Sequence, residues 1–496
     1  MNLLDSENTG AGDAFSFEVA QSTSPKDPKV KGLGGLNLDQ INGPGRDFND
    51  RIARLASSLR GRIVRAEDDD YDALRTIVPA NYDGHPLAVI RVADAADIAA
   101  VLHFARITGV EVAVRSGGHS GHSSSDGIVV DLRDLNDLDI DQNTRTAWAG
   151  TGLTAGEVTR ALEKHGLVVG FGDTASVGIG GITVGGGIGY LVRKHGLTID
   201  SVLAAEVVTA AGDILMVDSE HHPDLFWALR GGGGNFGVVT RWKYRLHPLS
   251  AFTGGPLVLP ATPEIISRFV ELADAAPDEL SAIASVMPAP PAPFLPSDVH
   301  GKLVFFCMMA FAGEPAAAER ALAPFRALAA PIADLVAPGP YSSLYMPEDP
   351  DQRPAFSVRS RLLDRLGVTE AATIIERIEQ SGAPMRLGEI RVLGGAMGRV
   401  PSHATAFAHR SSRVMCSFIA VYMDPREQAL HDRWAADGIA ALSEEEDRVY
   451  VNFLLTDPAE RIRAAYAPDT WDRLKLVKRR YDPGNLLRRN RNVPPQ

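Results

Sequence analysis

An α+β architecture with two folded parts is predicted from three features of the sequence. At 496 residues the chain is too long for one hydrophobic core. Its first half interleaves short apolar runs with helical patterns, as strands alternating with helices would. After the strand-like run Arg241 to Pro248 the texture changes, because Pro256 to Pro296 is rich in proline and alanine and reads as a boundary.

Taken in order, residues 1–47 are poor in aromatics and rich in Gly, Asp, Asn and Ser, and read as a flexible extension. Phe48 to Leu59 is an amphipathic helix. Leu87 to Val92 is a short strand, and Asp94 to Ile107 is a helix with Ile98, Val101, Leu102 and Ala105 on one face, ended by Gly109. Glu111 to Arg115 is a strand that feeds a glycine loop, and Ile128 to Leu132 is another strand. Thr154 to Glu157 is a capping box, with Gly166 as the C-cap of the helix it opens. Beyond the proline-rich stretch, Lys302 to Phe311, Met385 to Leu393 and Met415 to Met423 read as strands. Ala316 to Ala323, Ala371 to Gln380 and Arg426 to Leu442 read as helices. That second part is expected to be a helix-covered antiparallel sheet.

Composition excludes several functions. Hydrophobic content of 45% and charged content of 23% are those of a soluble globular chain. The formal net charge is -12 with no basic arm, which argues against a nucleic-acid partner. Only Cys307 and Cys416 occur, so a disulfide framework and a thiolate zinc site are excluded; two buried free thiols are expected, with a single bridge between them as the alternative. No metal site is predicted. Met1 to Phe15 lacks a basic region followed by an apolar run, and no apolar stretch approaches the roughly 20 residues that span a bilayer. A cytoplasmic protein without a membrane partner is expected, as a monomer or a homo-oligomer.

Two glycine-rich segments carry the chemistry. Val114 to His122 runs Val-Arg-Ser-Gly-Gly-His-Ser-Gly-His directly after a strand. Consecutive N–H groups of Ser116, Gly117 and Gly118 there can form a concave nest for a pyrophosphate. Gly178 to Gly189 holds seven glycines in twelve residues, costly in a regular element but suited to a surface on which a flat ligand lies. Neither is a Rossmann fingerprint: Gly178 and Gly180 begin the G-x-G-x-x-G spacing, but Thr183 stands where the third glycine belongs. A nicotinamide-dependent dehydrogenase therefore lacks its expected motif.

The run Arg115-Ser116-Gly117-Gly118-His119-Ser120 resembles the covalent-flavin motif of the berberine bridge enzyme branch of the vanillyl alcohol oxidase and p-cresol methylhydroxylase superfamily. Asp224 to Thr240, Tyr450-Val451-Asn452 and Tyr481-Asp482-Pro483-Gly484-Asn485 are similar to further motifs of that family, in the family's order. The resemblance implies an FAD-binding domain of two α/β subdomains of the p-cresol methylhydroxylase type (48–250), a substrate domain with a helix-covered antiparallel sheet (251–448), and a C-terminal segment returning to the FAD domain (449–496). It also implies a flavin bonded at its 8α carbon to a nitrogen of His119, for which neutral imidazole is a competent nucleophile. Arg115, Ser116, Gly117, Gly118 and Ser120 would cradle the FAD around that link. Gly178, Gly181, Gly185, Gly186 and Gly189 would lie against it, with Val239, Asn485 and Asn490 completing the cofactor set.

Two positions refine the expectation. Many relatives attach the flavin a second time through a cysteine four residues before the first glycine of the second segment. That position is Thr174 here, and its hydroxyl is far too weak an acid to replace a thiolate, so a single link and a small or medium substrate are implied. Val177, just before that glycine, occupies the family's oxygen-gating position, where valine accompanies oxidases. Candidate acid–base residues are Tyr450, with Asn452 pointing the same way if the segment is a strand, and Arg391, which shares a strand face with Glu389. Those last two can reach substrate or simply pair. The expected reaction is hydride removal from a small alcohol, amine, sugar or benzylic carbon, followed by reoxidation by dioxygen to hydrogen peroxide. A dehydrogenase of the same fold with another electron acceptor is the alternative, and a flavin-carrying binding protein without turnover is a third reading.

Overall fold

The computed structural model describes residues 48–349, 352–442, 447–455 and 457–496. The extension expected over 1–47 lies outside the described residues.

Three larger sheets and one two-stranded pair, Leu167–Val168 with His247–Pro248, organise the described residues. The first joins Arg62–Val64, Ala88–Arg91, Ile128–Asp131 and Val112–Arg115 in that order, the last three parallel and the first antiparallel. Its strands are almost wholly apolar because the helix Ala95–Thr108 covers one side, burying Ile98, Val101 and Leu102. That helix starts at Asp94, whose carboxylate accepts from Asp97 N–H, and ends at Gly109 in the left-handed region (φ +73°).

The second sheet is antiparallel: Leu138–Asp141, Thr146–Gly150, Val238–Arg245, Val202–Val208 and Ile214–Val217. The capping box at Thr154 and Glu157 opens the helix Ala155–Glu163 as the sequence implies. Its C-cap, however, is Lys164, and Gly166 turns the chain two residues later. Val449, Val451, Leu454, Leu474 and Val493 pack into the core of this second sheet with Phe171 and Trp242. The C-terminal segment thus returns to the part of the molecule that holds the glycine segments.

The third sheet has eight antiparallel strands, with Leu303–Phe311, Leu280–Pro288, Met385–Val392 and Val414–Tyr422 at its centre. The helices Pro263–Ala275, Pro315–Arg326, Val368–Gln380 and Gln428–Ala440 cover one face through Phe269, Phe325, Ile374 and Ile439. Cys307 and Cys416 are free and buried on two of its strands. The proline-rich stretch Pro256 to Pro296 is not a linker: it supplies the strands Thr253–Pro260 and Leu280–Pro288 and the helix between them. Proline stands there at the strand ends Pro260 and Pro288 and at the first turn of the helix, Pro263, with Pro256 alone inside a strand.

Strand alternation sets up the site. Ile390 and Val392 face the covering helices, so Glu389 and Arg391 project from the opposite face, the side on which Met415 and Tyr450 are packed. Among the described residues no helix is long and apolar enough to cross a membrane.

Candidate active site

The two glycine segments meet backbone to backbone. A Cβ on Gly117 would overlap Gly178 N, and one on Gly178 would overlap Ser116 Oγ, so neither position admits a side chain. Ser116 Oγ donates to Thr151 O at 2.5 Å, and Thr151 Oγ1 donates to Val239 O at 2.8 Å, which ties Val239 to the same corner. The Arg115 guanidinium donates to Asp131 (2.6 Å) and Thr76 O (3.3 Å), and its side chain packs against Gly118 of the loop.

The second segment departs from expectation, because Ile179–Gly185 forms a short helix despite its glycines. Close approach is the reason. Gly180 lies against Thr151 and Ser116, and a Cβ on Gly185 would overlap the Asn452 amide. Gly186 (φ +129°) and Gly187 (φ +83°) then end the helix in conformations that favour glycine. Gly189 packs on Gly172, while Gly181 faces open space.

Tyr450 is buried against this turn. Its Oη accepts from Gly187 N–H and from Asn452 Nδ2, both at 2.8 Å, and Asn452 Nδ2 also donates to Ile182 O at 3.0 Å. The segment is not a strand: Val451–Phe453 is one 3₁₀ turn, and Asn452 reaches Tyr450 across it. Burial pushes the Tyr450 hydroxyl above its ordinary value, while the Gly187, Asn452 and Ile188 donors and Arg391 pull it down without cancelling the rise.

Arg391 pairs with both Glu389 (2.7 Å) and Asp173 (2.6 Å), so the expected ion pair is a buried triad. Its guanidinium stacks over the Phe453 ring, whose centroid is 5.5 Å from that of Tyr450. Burial raises the Glu389 carboxyl and Arg391 opposes it; Asp173 and Glu389 hold the guanidinium charged. Asp173 was not singled out from sequence, although it directly precedes Thr174, whose hydroxyl donates to it at 3.3 Å.

His119 is half-buried, with Nε2 2.8 Å from Ser176 Oγ. Burial lowers its imidazole below the ordinary value, and Glu348 is the main opposing influence. Ser176 and Glu348 were also missed. Nothing in a loop sequence announces a partner 172 residues away.

The first glycine segment and the C-terminal segment offer polar groups that fit a dinucleotide, on two observations. The N–H groups of Ser116, Gly117, Gly118, His119 and Ser120 make no backbone hydrogen bond with another described residue. Among the described residues His122 Nε2, Ser124 Oγ and Asn490 Oδ1 are buried without a partner, which is costly unless a ligand supplies one. His195, by contrast, stacks on His247, at 4.0 Å between centroids. Asn490 holds Gly234 O through its amide nitrogen (2.8 Å). Asn485 Oδ1 is likewise buried without a partner among the described residues. It lines a cleft of about 440 Å³ with Arg106, Glu111, Ala210 and Arg488. No group of His, Cys, Asp or Glu able to hold a metal occurs among the described residues.

Comparison with known proteins agrees with these features. Residues 86–218 match an FAD binding domain and residues 449–494 match the berberine and berberine-like family. An uncharacterized FAD-linked oxidoreductase, YgaK of Bacillus subtilis, is 29% identical over 88% of this chain and 98% of its own length. The (R)-6-hydroxynicotine oxidase of Paenarthrobacter nicotinovorans is 28% identical over the same shares. The crystal structure of 6-hydroxy-D-nicotine oxidase from Arthrobacter nicotinovorans superposes with a TM-score of 0.80 at 25% identity, covering 88% of this chain and 99% of that one. With its paired glycine segments and its returning Tyr450 segment, the chain is an FAD-linked oxidoreductase that carries an FAD binding domain and a berberine and berberine-like segment.

Proposed function

We propose that the protein is an FAD-dependent oxidase that removes a hydride from a small organic substrate, carries its flavin on a single link to His119, and is reoxidised by dioxygen with release of hydrogen peroxide. The observation that carries the reading is the Tyr450 hydroxyl, pinned to the second glycine segment beside Phe453, over which Arg391 stacks. FAD supplies the two-electron acceptor. The chain's residues do the rest. Ser116, Gly117 and Gly118 offer N–H groups to a pyrophosphate, and Asn490 and His122 offer polar atoms that lack partners. Tyr450 accepts the proton that leaves a substrate O–H or N–H, and the two donors on its oxygen favour the phenolate form of this side chain. Asn452 and Arg391 orient groups near that oxygen. Thr174 forms no second link, and Val177 leaves room for dioxygen. On this reading residues 48–250 bind the cofactor, 251–448 carry the substrate side, and 449–496 close the site.

The test is anaerobic bleaching of the flavin by a panel of alcohols, amines, sugars and benzylic compounds, followed by admission of air. Reoxidation within seconds, with hydrogen peroxide formed, supports an oxidase. Reoxidation only over many minutes, faster with an artificial acceptor, makes it a dehydrogenase. Acid-precipitated protein is expected to stay yellow, with the flavin on the His119 peptide. A colourless pellet and free FAD in the supernatant would overturn the covalent link.

A further inference from the structure

We propose that Glu348 and Ser176 form a proton relay that fixes His119 as the nucleophile for its own attachment to the flavin, through Nδ1. The inference rests on the covalent reading above. Glu348 grips Ser176 at two points: Oε2 accepts Ser176 N–H at 3.2 Å and Oε1 accepts the Ser176 hydroxyl at 2.8 Å. A serine hydroxyl has one proton, and a carboxylate can only accept. That proton is therefore committed to Glu348, and only a lone pair of Ser176 Oγ faces His119 Nε2, 2.8 Å away. Nε2 must carry the imidazole proton and donate it. The tautomer is then settled, since Nδ1 holds the free lone pair and makes no hydrogen bond with a described residue. Burial keeps the ring neutral, as a nucleophile requires.

The step balances. A C–H bond of the flavin 8-methyl group is lost as a proton, and a bond forms between Nδ1 and that carbon. The imidazole becomes cationic and releases its Nε2 proton through Ser176 Oγ to Glu348. The two electrons and two protons set free pass to dioxygen, which leaves as hydrogen peroxide. Ser176 and Glu348 are positioning residues here, because neither bonds the flavin. Three charged groups act on His119: Glu348 and Asp173 raise its pKa, and Arg133 lowers it.

Apoprotein from riboflavin-limited expression, mixed with FAD in air, tests the relay. The readouts are the covalent fraction in acid precipitates against time, and FAD binding by fluorescence quenching. Ser176→Ala and Glu348→Ala are expected to slow covalent incorporation about 100-fold with near-normal FAD binding, and Ser176→Thr to restore it. Glu348→Gln removes a charge that raises the imidazole pKa, so the rising limb of incorporation against pH should move to lower pH. A residue that only props the loop would not move that limb. The aminoacyl flavin released by acid hydrolysis should match the Nδ1-linked isomer. Wild-type rates in both alanine variants, or an Nε2-linked product, would overturn the relay while leaving the covalent link intact. A colourless wild-type pellet would overturn both.

Discussion

The two sides of this site are built by opposite means. Around His119 the chain presents backbone: unpaired N–H groups and glycines that touch one another where no side chain fits. Around Tyr450 it presents side chains from a strand, a loop and a returning segment, each fixed by partners far away in sequence. Asp173 and Arg391 are 218 residues apart, and Gly187 and Tyr450 are 263. A backbone-built surface tolerates loss of any one contact poorly but is cheap to hold neutral. A side-chain cluster concentrates charge in a buried place and depends on pairing. The contrast gives the variants an order.

The charged triad should break hardest. Arg391→Leu keeps apolar bulk but leaves Glu389 and Asp173 beside each other with no cation. Breaking a buried pair this way costs about 3–5 kcal/mol, read as a lowered denaturant midpoint. The pH dependence has a definite sign. A carboxyl raised in the folded state binds protons more tightly there than when unfolded, so stability falls as pH rises through its folded-state pKa. Burial already raises Glu389 with Arg391 in place. Without the guanidinium the variant should regain stability on acidification, more steeply than wild type. A loss that is the same across the pH range would show that lost packing over Phe453, and not charge, explains the effect.

Tyr450 comes next. Tyr450→Phe keeps the ring between Phe407 and Phe453 and removes the oxygen that Gly187 and Asn452 hold. If that oxygen takes the substrate's proton, anaerobic flavin reduction should slow about 100-fold. Because the wild-type hydroxyl lies above its ordinary value, the wild-type rate should still be climbing at the alkaline end of the accessible range. A fall of less than about threefold with an unchanged pH profile would mean that Tyr450 only packs.

The same contrast explains what the sequence disclosed. The His119 side was legible because close backbone approach writes itself as glycine: Gly117, Gly178 and Gly185 each occupy a position where a Cβ would collide. The folded elements with caps, such as Asp94 to Gly109, were legible for a similar local reason. The strands of the proline-rich stretch were obscured because Pro256 sits within a strand whose pairing, not its composition, decides its state. The helix inside the second glycine segment was hidden for the same reason, since tertiary contacts override poor propensity. Asp173, Ser176 and Glu348 were invisible because a hydrogen-bond partner leaves no spacing in the sequence, and the orphaned nitrogen of His122 shows only in the folded chain.

The smallest expected effect isolates the junction of the two sides. Val177 precedes Gly178, and its carbonyl accepts Ala155 N–H at 2.8 Å, so the backbone there is anchored from a helix start and not from the residue's own side chain. Gly178 in turn is pressed against Gly117. Val177→Leu should therefore leave the path of the chain and the His119 link in place, and change only the space beside them. If Val177 gates dioxygen as proposed, the added methylene is expected to slow reoxidation about tenfold, roughly 1.4 kcal/mol on that barrier. The rate of flavin reduction by substrate and the yellow acid pellet should stay as in wild type. Stopped-flow mixing of reduced enzyme with air-saturated buffer reads the first quantity, and anaerobic mixing with substrate reads the second. Equal slowing of both half-reactions would show that leucine distorts the shared backbone. Unchanged reoxidation would show that dioxygen reaches the site by another path, and the valine would then carry no information about oxidase or dehydrogenase.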